Sequence, residues 1–562
     1  MLPLTRIVLS RVGVALLTVV TLAQSQSIPS PIIDVGYTQY QGFVDTTSNI
    51  TQFLGMRYAA PPIGDLRFRA PQPPPTEAGV QAAVDQPNWC MQSGDGTATT
   101  NPFRNIKREN PVAPEDCLFL KYVSDVDACT TPVTELAHHR ATSQLWCGSM
   151  EEGMCRYIAG AAIGASGEDV VKRSNNGVIV VVIQYRLGVF GFLAGSAVKN
   201  DGALNAGLRK FLLIFLGYIP RLMSIQVDQD FALRWVQTHI SKFGGDPSKV
   251  TIWGQSAGAG SVLQHVIANG GKTEPQLFRG AITSSTFLPS QYNYDDKVPE
   301  WIFNQVVAQT NCSSAVDAMT CLRAVDQSIL QTANAAINNA GFYGTFTTVP
   351  VVDGEFIVQR PTLSLIEGKV NGQALMSTTN TNEGVDFVNQ SVPIAAGQYS
   401  ELLFPEFTEI QSLLVGLLYG GLGTDLFQDN AIMGESIFIC PTYFLLSAFK
   451  GRAWKGEFAV PPALHSDDYA YYWPNGVAPP FNNTDFINAF AQIFTSFIVN
   501  LDPNDKLAPT ISPKWDQHSE GNTEMLFNKT ENNQPDIRAI ETSLELLERC
   551  AFWDSVGPLI GQ

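Results

Sequence analysis

Positive charge is scarce in this 562-residue chain: 35 lysines and arginines stand against 52 aspartates and glutamates, for a formal net charge of -17. Binding to nucleic acid relies on Lys and Arg stripes that neutralise phosphates, and the lack of such stripes argues against that class of partner. Also missing are Pro/Gly/Ser-rich linkers, blocks of like charge and internal repeats. Although the length suggests several domains, one large α/β unit over residues 26–562 is therefore expected. No cysteine-histidine spacing resembles a metal site, so no metal is expected. Histidine is scarce too, with only 6 in the chain.

An apolar run long enough to span a bilayer is likewise absent from the N-terminus. Val12 to Ala23 follows Arg6 and Arg11, falls short of the ~20 residues a spanning helix needs, and ends in Ala23-Gln24-Ser25. This pattern reads as a signal peptide over residues 1–25, which implies an exported, extracellular protein. N-x-S/T sequons at Asn49, Asn311, Asn389, Asn482 and Asn528 agree with that route as glycosylation acceptors. The 9 cysteines suggest disulfides with at least one thiol left over. The loops Cys90 to Cys117 and Cys312 to Cys321 are the best candidates for bridges. Cys440 and Cys550 could form a third, although sequence does not establish their separation.

Against these absences, one stretch carries chemistry. Thr251-Ile252-Trp253 is a β-branched and aromatic run that feeds Gly254-Gln255-Ser256-Ala257-Gly258, a G-x-S-x-G pentapeptide followed by small, helix-compatible residues. Such a strand-turn-helix context is what a nucleophile elbow needs. In so tight a turn, Cβ atoms on either side of the serine would collide, and Gly254 and Gly258 leave the room. Further buried strands are legible at Val178 to Ile183, Val250 to Trp253, Arg279 to Thr283 and Gln373 to Thr378, with helical periodicity between them, as at Phe231 to Lys242. This alternation implies an α/β fold with a mostly parallel sheet, whose catalytic loops gather at the carboxyl ends of the strands.

A serine hydroxyl is a weak nucleophile and needs a general base and an oxyanion site. The few histidines allow elimination. His138 and His139 precede the serine, His239 lies in a helix before the elbow, and His265 is on the helix that leads away from it. Of the two that follow an acid in the order Ser, acid, His, His518 sits in a polar tail segment. His465 lies in the turn-rich Pro461-Pro462-Ala463-Leu464-His465-Ser466-Asp467-Asp468 and is the favoured base. Glu383 follows the strand Gln373 to Thr378 through a polar loop, but a Glu-Gly pair is also compatible with a solvated carboxylate, so the residues alone leave its role open.

With these segments in place, the chain resembles the type-B carboxylesterase/lipase family, the cholinesterase-like α/β-hydrolases that include fungal secreted members. The resemblance rests on Phe53-Leu54-Gly55-Met56-Arg57-Tyr58-Ala59-Ala60-Pro61-Pro62, Leu66-Arg67-Phe68, Glu115-Asp116-Cys117-Leu118-Phe119-Leu120, Tyr185-Arg186-Leu187-Gly188 and Gly244-Gly245-Asp246-Pro247. It implies the α/β-hydrolase fold, a large mostly parallel sheet flanked by helices with lid or cap insertions. It also implies Ser256 as nucleophile, Glu383 as acid, His465 as base, the Ala257 N–H in the oxyanion hole, and the bridges Cys90 to Cys117 and Cys312 to Cys321. The activity implied is hydrolysis of a carboxylic ester or lipid without a cofactor, with lipid-interface contact but no membrane span. The alternatives are a non-catalytic adhesion or binding role on the same scaffold, or a catalytically impaired product because the His-Gly-Gly-Gly oxyanion loop of the family is missing from the chain as written.

The chain departs from the family pattern in two places. A His-Gly-Gly-Gly loop is expected before the Val178 strand, where the sequence instead has Leu145-Trp146-Cys147-Gly148-Ser149-Met150-Glu151-Glu152-Gly153-Met154. One set of codons compatible with these residues, CTG TGG TGT GGA TCC ATG GAG GAG GGT ATG, read one base earlier spells Val-Val-Trp-Ile-His-Gly-Gly-Gly-Tyr, so a frame error somewhere in residues 124–156 is expected, against genuine divergence as the alternative. The second departure is the segment 209–227. Arg209-Lys210-Phe211 accommodates the splice-donor string GTAAGT and Gln226-Val227 a terminal AG, so this segment reads as a retained intron, with a real surface insertion as the alternative.

Overall fold

The computed structural model describes residues 30–100, 114–125, 166–208, 228–474 and 477–562, together with the backbone of 141–142. The proposed signal peptide, most of segment 124–156 and all of 209–227 lie outside the described residues. Numbered in chain order, the strands on the N-terminal side are β1 (Ile32–Asp34), β2 (Gln39–Gln41), β3 (Phe43–Asp45), β4 (Ile50–Arg57), β5 (Val80–Ala82), β6 (Phe119–Asp125), β7 (Ala141–Thr142) and β8 (Val178–Ile183). Those that follow are β9 (Asp246–Gln255), β10 (Gly280–Ser284), β11 (Ala374–Asn380), β12 (Ala453–Phe458), β13 (Thr523–Lys529) and β14 (Pro535–Glu541).

Strands β1, β2 and β5 form a small sheet, and the other 11 form one large sheet in the order β14-β13-β12-β11-β10-β9-β7-β8-β6-β4-β3. Pairing is parallel from β8 through β13 and antiparallel at both ends. Every residue of Val178–Ile183 is buried, as a parallel strand covered on both faces requires. Successive residues face opposite ways. Ile252, Ala281 and Leu375 enter one core, and their neighbours Trp253, Ile282 and Met376 enter the other. Helices Asp228–His239 and Ala257–Gly271 cover the first face, and Thr484–Asn500 covers the second, with Phe494 stacked on Trp253 at 4.6 Å.

Register decides where the loops emerge. Gln255 lies opposite Ser284, Ser284 opposite Thr378, and Asn380 opposite Phe458, so β9 to β12 all end at one edge of the sheet. The strand read from sequence as Gln373 to Thr378 runs on to Asn380 because it keeps pairing with β12, which shortens the polar loop before Glu383. Between β8 and β9, neighbours of 6 and 10 residues, the described strand is only the pair Ala141–Thr142. Across the 209–227 insertion, the Asp228 N–H donates to the Ala206 carbonyl at 3.3 Å and the Gln229 N–H to that of Gly207 at 3.4 Å, so the two flanks meet.

Three disulfides join Cys90 to Cys117, Cys312 to Cys321 and Cys440 to Cys550. The third ties helix Cys440–Ala448 to helix Leu544–Ser555. The helical run Asp425–Ala448 is long and apolar enough to cross a membrane, but 78% of its most apolar window is buried within the protein. Asn49, Asn311 and Asn482 are exposed, and Asn389 and Asn528 half-buried.

Candidate active site

Ser256 stands between β9 and helix Ala257–Gly271 with φ 56° and ψ -123°, a left-handed conformation that costs a non-glycine residue energy. The surroundings hold it there. Its N–H donates to the Ser284 carbonyl and its own carbonyl accepts from Gly260 N–H, both at 2.9 Å. A Cβ at Gly254 would lie 2.1 Å from the carbonyl carbon and oxygen of Gly258, so the close approach of strand and helix demands glycine. Ala257, buried, is the first residue of the helix, where backbone N–H groups have no partner within the helix.

The acid and the base come from the next loops along the same edge. His465 Nε2 lies 2.9 Å from Ser256 Oγ, and His465 Nδ1 lies 2.5 Å from Glu383 Oε2. All three residues are buried, at 3%, 1% and 4% exposure for Ser256, Glu383 and His465. With Nδ1 donating to the carboxylate, Nε2 is left to accept the serine proton. The second oxygen of Glu383 accepts from the Asn380 N–H at 2.7 Å. The two loops are stitched together by Asn382, whose N–H donates to the Ala463 carbonyl at 2.9 Å and whose side-chain amide donates to Pro462 O at 2.8 Å. Ala463 and Ser466 take positive φ on either side of His465. Phe387 and Phe438 pack against its ring at 5.0 and 4.6 Å between centroids.

Phe438 sits in a π-helical turn, Glu435–Ile439, a geometry that recurs at functional sites. Arg549 grips Glu435 with two hydrogen bonds of 2.7 Å, and the Tyr419 hydroxyl adds a third at 2.6 Å. One ring beyond Phe438 lies Phe287, at 5.5 Å, which lines an apolar cavity of about 110 Å³ together with Phe192, Phe342, Phe346, Leu403 and Ile437.

The other histidines are placed elsewhere. His265 is buried against Gln229 Oε1 at 3.1 Å, and burial pushes its ring down to about 3. His239 is pushed down to about 4 by burial, with Lys242 adding to the effect. His518 lies in the polar segment expected of it, half-buried, with its ring 5.6 Å from that of Tyr443 and its backbone N–H donating to the Ala453 carbonyl at 2.9 Å. His138, His139 and the segment expected to supply the glycine loop lie outside the described residues. Among those described, no group of three His, Cys, Asp or Glu side chains could hold a metal.

Sequence reasoning missed Asn380, Asn382, Phe387 and Phe438. Their only signal is position in the loops that flank Glu383 and His465, since no motif marks an asparagine that tethers two loops.

Comparisons with known proteins identify the family. The model of the carboxylesterase family matches residues 29–212 and 225–413, with a break inside the 209–227 insertion. Secreted lipase 1 of Botryotinia fuckeliana is 28% identical over 84% of this chain and 85% of its own length. Carboxylesterase patB of Penicillium expansum is 27% identical over 94% and 96%. The crystal structure of Aspergillus niger EstA superposes with a TM-score of 0.78 at 27% identity, covering 95% of this chain and 99% of that one. The chain belongs to the carboxylesterase family of carboxylic ester hydrolases, built on the α/β-hydrolase fold.

Proposed function

We propose that this protein is a secreted esterase or lipase that works through an acyl-serine intermediate, with Ser256 as nucleophile, His465 as base and acid, and Glu383 as the carboxylate that orients the imidazole. The observation that carries the reading is the continuous chain of contacts from Ser256 Oγ through His465 to Glu383, at 2.9 and 2.5 Å in a buried pocket. In the first stage His465 Nε2 takes the Ser256 proton as Oγ attacks the ester carbonyl, then passes it to the departing alcohol. In the second stage water loses a proton to the same nitrogen and attacks the acyl-serine, and the acid leaves. The Ala257 N–H supplies one donor for the tetrahedral oxyanion, and the glycine loop encoded in the alternative frame supplies the others.

Export is supported by the N-terminal segment, the five sequons and three disulfides, and by relatives named secreted lipases.

The test is hydrolysis of p-nitrophenyl esters of graded chain length by the full chain with its glycine loop restored. Ser256→Ala should lower kcat on the order of a millionfold, and a serine-directed phosphonate should label Ser256. A folded protein that neither reacts nor turns over would instead point to a binding role.

A further inference from the structure

Behind Glu383 the structure places a second buried acid that the triad does not use. Asp468 is 0% exposed and lies three positions beyond His465 in the chain. Its Oδ1 accepts from Asn380 Nδ2 at 3.1 Å, while its own N–H donates to Asn380 Oδ1 at 3.2 Å, a reciprocal clasp that fixes the Asn380 side chain. Asn380 is itself fully buried. Its backbone N–H donates to Glu383 Oε1 at 2.7 Å, and its amide lies 3.5 Å from the same oxygen and 3.3 Å from Ser285 Oγ. Asp468 thus reaches the imidazole through Asn380 and Glu383 without touching it.

We propose that Asp468 is a positioning residue for the reaction, a hydrogen-bonding acid that holds Asn380 in place and through it aims the Glu383 carboxylate at His465. The inference rests on the triad reading above. Chemistry at the carboxyl agrees. Burial pushes Asp468 up to about 7, and the nearby Glu383 adds to this while Asn380 and His465 oppose it. Tyr472 interacts with the same carboxyl, but Oδ2 lacks a well-formed hydrogen bond. An oxygen without a donor, in a pocket already holding one carboxylate, is a place for a proton rather than for charge. The part Asp468 plays is therefore geometric, and a neutral isostere can fill it.

The experiment compares Asp468→Asn, Asp468→Ala, Asn380→Ala and the double alanine variant in the full chain with its glycine loop restored, using p-nitrophenyl butyrate. Asp468→Asn should keep kcat within about threefold of the parent. Asp468→Ala and Asn380→Ala should each lower kcat about 10- to 100-fold with KM within about twofold, and the double variant should be no worse than either single one. Unchanged kcat in Asp468→Ala, or a loss in Asp468→Asn as large as in Asp468→Ala, would overturn the proposal. Should Asp468→Ala not fold, the other two single variants decide: kcat kept in Asp468→Asn and lost in Asn380→Ala supports it, and any other pairing overturns it. A parent that neither turns over nor reacts with a phosphonate refutes the triad reading itself. An active parent whose Asp468→Ala variant is equally fast refutes only this inference.

Discussion

The elbow that carries Ser256 and the loop that carries His465 put their side chains within 2.9 Å of each other by different physical means. The elbow is positioned sterically. Within a few residues the chain passes from strand to helix, the backbone of Gly254 nearly touches that of Gly258, and flanking backbone hydrogen bonds hold Ser256 at positive φ. The His465 loop has local hydrogen bonds of its own, the Leu464 N–H donating to Asp467 Oδ2 at 2.8 Å and the Asp467 N–H to the Leu464 carbonyl at 3.1 Å, but no steric demand as tight as the one at Gly254. It is held from outside, by Asn382 across the gap to the acid loop, by the Asn380–Asp468 clasp and by two phenylalanine rings. One side chain is thus aimed by what its neighbours in sequence lack, the other by what distant residues supply.

The sharpest way to break this comparison is at the elbow. Gly254→Ala adds a Cβ 2.1 Å from backbone atoms that have nowhere to go, and should abolish both activity and most soluble folded protein. Expression yield and circular dichroism, read beside phosphonate labelling, would check it; a folded, reactive Gly254→Ala protein would show the elbow to be less tightly fitted than its geometry implies.

Restoring the glycine loop by correcting the frame tests the third side of the site, with the Ser256 and His465 geometry left as it is. Each missing oxyanion donor typically costs ~100- to 1000-fold in kcat, so the corrected protein should exceed the uncorrected one by about that factor on the same ester. A natural transcript that encodes Met150 to Met154 without interruption would sink the frame-error reading.

On the His465 side, Asn382→Ala removes one bridging amide from a partly exposed loop pair, worth about 1 kcal/mol. We expect kcat to fall about 3- to 10-fold, with the thermal midpoint lowered by a few degrees. No change in either would mean that the Asn382 N–H bond to Ala463, the Asn380–Asp468 clasp and the two phenylalanine rings hold the base without that amide.

The last effect falls on pH-dependent stability rather than on turnover and concerns His265, on the helix that starts at the elbow. Because burial pushes it down to about 3, the folded protein keeps this ring neutral while the unfolded chain takes up a proton near pH 6.5. The unfolded state then binds more protons, so stability present above pH 6.5 declines as pH falls from there towards 3, by on the order of a few kcal/mol in total. His265→Gln should flatten that decline in denaturant titrations across the same window. An unaltered slope would show that His265 is protonated in the folded protein.

Much of this molecule is legible along the chain, for stated reasons. Val178 to Ile183 forms the strand its unbroken apolar run implies, since a parallel strand buried on both faces needs apolar residues at both parities. The elbow is legible because its steric demand falls on residues adjacent in sequence. Glu383 was not, because a carboxylate in a polar loop looks the same whether it meets water or an imidazole 82 positions away. The pairing of Cys440 with Cys550 was left open by a separation of 110 residues and became definite only when two helices packed together.

By itself, then, the sequence determined the periodicities, the glycine-lined turn and the family, since each depends on residues within a few positions of one another. Only the tertiary structure decided which acid and which histidine share a pocket, and which buried groups brace them. Those choices depend on strand register and on hydrogen bonds between loops far apart in the chain, and local sequence carries no record of such contacts.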